Sequence, residues 1–291
     1  MKHFLGFLLA WSTGSACAQG VITPRPEEPE SPAIVVKGQS APVVRSYVKK
    51  IATPVQGRQI PRWNEPICIG IGGISEEYAN FIRERISNLA NSIGLSVRRP
   101  GCQVNLSIAM TDHADLLAKA MIEARPKEVG NINHDGLLQP SMVAAVEATR
   151  TIRWLTASET VSGSGGMPFG GTLRTYDSSV ISTHVRENLV AKTIIIDELR
   201  LKDLTLSQLA DYIAFVSLGT PDLKTDYSGV DSIMALFSNN AETLRPQGLT
   251  DADRHFLRAL YKTTTNQAAY MQQSAITEKI LQDERRGVAQ Q

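Results

Sequence analysis

Several groupings of residues have the types and spacing to carry chemistry. Gly70-x-Gly72-x-x-Ser75 lies between an apolar run and a helical pattern, where a dinucleotide fingerprint would lie. Its third position is Ser rather than Gly or Ala, and no acidic residue follows the next strand in the expected place, Arg98 and Arg99 preceding it instead, so the ordinary reading is a tight turn. The helix at 206–218 is where a zinc peptidase would carry His-Glu-x-x-His, two imidazoles one turn apart facing the metal. Here that face holds Tyr212, Ile213 and Val216, and an apolar side chain has no lone pair to give. His113, His134, His184 and His255 are scattered, and only an assembly of His184, His255 and Asp211 would make a metal site; surface or hydrogen-bonded histidines are the simpler reading. Asp222, Asp226 and Asp231 lack calcium-loop spacing and read as turn carboxylates. There is no Gly-x-Ser-x-Gly elbow, no phosphate loop and no reactive Cys partnered by His.

Two further groupings concern structure and contact. Cys68 and Cys102 have no second Cys or His nearby to share a metal. In an oxidising compartment they would close a ~34-residue loop worth about 3–4 kcal/mol, the alternative being two buried thiols. The Gly-Ser-rich stretch 162–171 carries Met167 and Phe169. Large apolar groups on such a loop suit a contact surface, or they fold back on the body.

The compartment is written at the N-terminus. Lys2 precedes a short apolar run, and Ala16-Cys17-Ala18 has the small-x-small form cut by signal peptidase, which assigns residues 1–18 to a leader. The apolar run is too short to span a bilayer. Cys17 as a lipid-anchored N-terminus is the alternative. Without Lys2 the basic count falls from 30 to 29, level with the 29 acidic residues, so charge offers no case for nucleic acid or an anionic membrane surface. A hydrophobic content of 42% over 291 residues allows one large domain or two small ones with a sizeable core.

The positioning elements follow from pattern. Residues 19–42, with five prolines and three glutamates, form a tether. A globular domain is expected over 43–265, opened by a helix at 43–52. A strand at 67–71 leads into a helix at 76–93 capped by Ser75, with Tyr78, Phe81, Ile82, Ile86 and Leu89 on one face. A strand at 104–110 and a helix at 114–124 complete a βαβα unit with parallel strands. Strands follow at 149–156, 180–185 and 189–196, Trp154 and Arg153 facing opposite ways. The central helix 206–218 carries a capping box from Thr205 to Gln208 and stops at Gly219-Thr220-Pro221. A short helix at 230–237, a helix at 251–262 capped by Thr250 and Asp253, and a loosely docked polar helix or tail at 266–291 close the chain. The fold class is α+β.

Gln59-Ile60-Pro61-Arg62-Trp63-Asn64 with Pro66-x-Cys68, Cys102-x-Val104-Asn105-Leu106, and Gln208-Leu209-Ala210-Asp211-Tyr212 together resemble an uncharacterised family of exported alphaproteobacterial proteins. Leu249-Thr250-x-x-Asp253, followed by Leu257-x-x-Leu260-Tyr261, is similar to the last helix of zincin-like secreted domains. The resemblance implies a zincin-type scaffold without its metal ligands, and it carries no catalytic residue over. The expected protein is periplasmic or secreted, non-catalytic and without cofactor. It would bind or scaffold an envelope protein, with a hydrolase using a rearranged metal site as the competing class.

Overall fold

The computed structural model describes residues 39–54, 59–124, 140–163, 182–238 and 245–289. Four strands, β1 (Ile69–Gly72), β2 (Leu106–Thr111), β3 (Ile152–Ser162) and β4 (Val185–Asp197), form one mixed sheet in the order β1-β2-β4-β3. The first three strands in that order run parallel, with Ile69 opposite Leu106 and Ile108 opposite Ile194; β3 returns antiparallel, with Ile152 opposite Ile196. The parallel pair β1 and β2 follows from the helix between them, α2 (Glu76–Ser92), because a parallel connection needs a crossover.

Helices cover both faces. Neighbouring residues on a strand point to opposite sides, so Arg153 and Trp154 mark the two layers. Arg153 reaches the carbonyl of Val146 at the end of α4 (Pro140–Glu147) and the carboxylate of Asp115 in α3 (Ala114–Ala124). Trp154 packs against Tyr212 of α5 (Leu206–Leu218), ring centroids 6.5 Å apart. Ile194, Ile195 and Ile196 are all fully buried, as a strand sandwiched between two helical layers requires. Behind α5 lie α6 (Asp251–Lys262), α1 (Ala41–Ile51) and α7 (Ala269–Ala289).

α5 is the hub, and its last turn is closed by side chains from three distant segments. Lys192 of β4 donates to the carbonyls of Val216 and Gly219, both at 2.6 Å. The Trp63 indole donates to Ser217 O at 2.8 Å, and the Tyr261 hydroxyl to Leu218 O at 2.7 Å. The terminal carbonyls of a helix have no partner within it, so in an apolar interior such donors must be supplied from outside. Arg62 does the same for α6, donating to Leu260 O and Thr263 O at 2.6 Å each. The start of α6 is held from the other direction. Asp253 accepts from Tyr47 OH, Ser232 OH, Ile233 N–H and Thr250 N–H.

Several elements depart from the sequence pattern. Ser75 occupies the N-cap of α2 with no side-chain hydrogen bond, and Tyr78 and Phe81 are exposed, since among the described residues no element packs over that part of α2. The expected strands 180–185 and 189–196 are, over the described residues, the single strand β4, with an irregularity opposite Ala157 and Ser158 where the register shifts. Residues 230–237 shorten to a 3-10 turn, Ile233–Phe237. Ala41 and Pro42 belong to the first turn of α1, a position that suits proline because its missing N–H would have no partner there. α7 is firmly docked rather than loose: Ile276 and Ile280 are buried, Gln272 accepts from Ile60 N–H, and Gln273 donates to Ala52 O. Among the described residues no helix is long and apolar enough to cross a membrane.

Candidate functional site

The carboxyl ends of β2 and β4 and the start of β3 meet at one edge of the sheet, with Thr111 opposite Asp197 and Asp197 N–H donating to Thr151 O. Open parallel sheets place their ligand crevices at this edge. Two cavities lie here, of about 470 and about 570 Å³, and share Thr151 and Arg200. Asp197 organises the wall between them: its carboxylate accepts from Leu199 N–H at 3.1 Å and from Arg200 Nε at 3.0 Å, which fixes the 3-10 turn Glu198–Arg200.

The smaller cavity is floored by the buried aromatic and thioether groups Trp154, Tyr212, Tyr227 and Met234, with Phe237 at its side. Tyr212 meets Phe237 edge to face at 4.8 Å. The loop after α5 is pinned as the far wall. Trp154 Nε1 donates to Pro221 O at 3.1 Å, Arg150 Nη1 to Leu223 O at 2.7 Å, and Tyr227 OH to Asp222 O at 2.9 Å. Burial pushes the phenols of Tyr212 and Tyr227 well above their ordinary range, so both stay protonated and act as donors. The Tyr212 hydroxyl makes no hydrogen bond to any described residue.

The larger cavity is lined by Asp112, His113, Asp115, Asp197, Arg200 and Lys202, with Leu116 and Leu199 on its rim. Two of its three carboxylates, Asp115 and Asp197, are engaged by arginines. Asp115 is paired with Arg153 and accepts from Thr149, and the Arg153 hydrogen bond holds its carboxyl below the usual range. Asp197 holds Arg200. The edge therefore keeps Lys202 and the exposed Asp112 and His113 facing the larger cavity, while Asp115 and Asp197 are held by arginines.

The sequence-derived candidates fall as follows. Cys68 and Cys102 are joined in a disulfide, Cα atoms 6.0 Å apart, tying the start of β1 to the approach to β2. Met167 and Phe169 lie outside the described residues, as do Cys17 and His134. His184, His255 and Asp211 are not brought together; among the described residues no three His, Cys, Asp or Glu converge as a metal site. Asp211 instead pairs with Arg85 and accepts from Leu249 N–H. Asp222 and Asp226 accept from their own turns, and Asp231 from Gln39. Among the described residues, those lining the crevice beside Tyr212 include Arg150, Arg200, Trp154 and Tyr227 and no histidine. Gly73 explains the glycine-rich exit of β1: it sits at φ +86°, and a Cβ there would lie 1.8 Å from Met110 O. Arg150, Arg200 and Leu199 escape a reading of the sequence, because they come from separate connections that only the folded sheet edge gathers.

Fold and site together define an α+β protein with a mixed four-stranded sheet and an open crevice at the carboxyl edge of its parallel strands. Comparison with protein-family models, with curated proteins and with solved structures finds no match.

Proposed function

We propose that this chain is an exported, non-catalytic binding protein that engages a partner of the cell envelope at the carboxyl edge of its sheet. The observation that carries the reading is the pair Leu116 and Leu199, each 67% exposed, on the rim of a cavity whose walls are charged. Large apolar side chains flanking a polar crevice are the composition of a docking face. Export is supported by the leader-like N-terminus and by a disulfide, which persists in oxidising compartments. The near-neutral charge balance favours a protein partner over nucleic acid. The test is affinity capture from envelope extract under non-reducing conditions, using the mature chain and its Leu199→Asp variant. Leu199 is exposed, so the variant keeps the fold. A protein retained by the wild type and lost by the variant is expected; equal capture by both, or none by either, refutes the reading.

A further inference from the structure

We propose that the cavity beside Tyr212 binds a small organic carboxylate with an apolar body, its carboxylate held by Arg150 and the Tyr212 hydroxyl. The inference rests on reading the sheet edge as a binding face and adds the chemistry of what enters its smaller cavity.

Tyr212 is 95% buried and lines the cavity, yet its hydroxyl donates to nothing described. The hydroxyl is not sealed off, so it is a donor open to an arriving acceptor. Arg150 stands on the same cavity with its guanidinium already oriented, because Nη1 is spent on Leu223 O. Its Nε is sealed from solvent, and Nη2, which bonds no described residue, is the donor left for a ligand oxygen. That N–H and the Tyr212 O–H together offer one donor to each oxygen of a carboxylate, the guanidinium bond being charge-assisted.

Arg200 and Lys224 add positive charge to the walls. The acid on the same wall, Asp226, is turned onto Ser228, from which it accepts both the hydroxyl and the backbone N–H. Trp154, Met234 and Phe237 offer an apolar bed next to these donors. One guanidinium N–H and one phenol O–H form a donor set for a single monoanionic group. The volume of about 470 Å³ falls within the roughly 300–1,000 Å³ of small-molecule sites.

Isothermal titration of the mature chain tests this with N-acetyl-L-phenylalanine, octanoate and the peptide Gly-Gly-Phe, each against its uncharged amide. The first two represent free acids and the third a peptide C-terminus, so the arm that binds identifies the source. At least one acid is expected to bind at least tenfold tighter than its amide. Tyr212→Phe should weaken it about tenfold with an unchanged melting temperature, since the lost hydroxyl bonds nothing in the free protein. Amides binding as well as acids, no acid binding in the millimolar range, or unchanged affinity in Tyr212→Phe each overturn the proposal. Leu199→Asp separates it from the docking reading, because that variant should retain the acid while losing the captured protein.

Discussion

Replacing Lys192 by Met should make the stability difference between wild type and variant depend on pH in one direction only. Lys192 is fully buried, and burial pushes its ammonium from 10.5 down to about 7. Its two acceptors, Val216 O and Gly219 O, match the two N–H groups of a neutral amine. Below pH 7 the lysine is charged in both folded and unfolded chains, so it adds no pH dependence. Between pH 7 and 10.5 the unfolded chain binds a proton that the folded chain has released, and stability therefore rises with pH. The slope approaches about 1.4 kcal/mol per pH unit, which accumulates to about 3 kcal/mol by pH 9. Met fills the same space, cannot titrate and cannot cap. Urea unfolding of both proteins at several pH values between 6 and 9, disulfide intact, gives the difference directly, and other titrating groups cancel in it. A wild-type advantage that grows by about 3 kcal/mol from pH 6 to 9 is expected. A flat or falling difference would refute the assignment of a largely neutral lysine at the end of α5.

Other consequences can be measured as simply. Replacing Cys68 and Cys102 together by Ala should lower unfolding stability by about 3–4 kcal/mol in denaturant titrations, the loop-closure value for this span. Gly73→Ala must place its Cβ against Met110 O in a left-handed backbone, so a loss of more than about 3 kcal/mol, or insoluble expression, is expected. Thr205→Ala removes the hydroxyl that accepts from Gln208 N–H and should cost about 1 kcal/mol in the same assay. Elemental analysis of the purified mature chain should find less than stoichiometric zinc; one zinc per chain would restore the hydrolase reading and damage the proposed function.

What could be read from the sequence was local in origin. The capping boxes Thr205/Gln208 and Thr250/Asp253 are made within four residues, so their spacing announces them. The parallel unit of β1, α2 and β2 is legible because a helix between two strands leaves few ways to pair them. α7 misled because its buried set is mixed: Ile276 and Ile280 are apolar, whereas Gln272 and Thr277 are buried through hydrogen bonds that no hydropathy pattern records. Tyr78 and Phe81 misled in the opposite sense, since helical spacing says which residues share a face but not whether anything covers it. Lys192 looks like an interruption of an apolar strand until α5 is placed above it. The crevice was the least legible feature, its donors being supplied by the lead-in to β3, the turn after β4 and the middle of α5.

The packing of α1 against α6 and α7 has a consequence for the chain during synthesis. Ala52 waits for Gln273, 221 residues later, and Tyr47 for Asp253, 206 residues later. At about 5–20 residues per second, the greasy stripe of Val44, Val48 and Ile51 stays bare for on the order of ten to forty-five seconds after it is made. Over that interval the nascent polypeptide is a natural client for a holdase, and native closure comes last, when its tail arrives to cover its head.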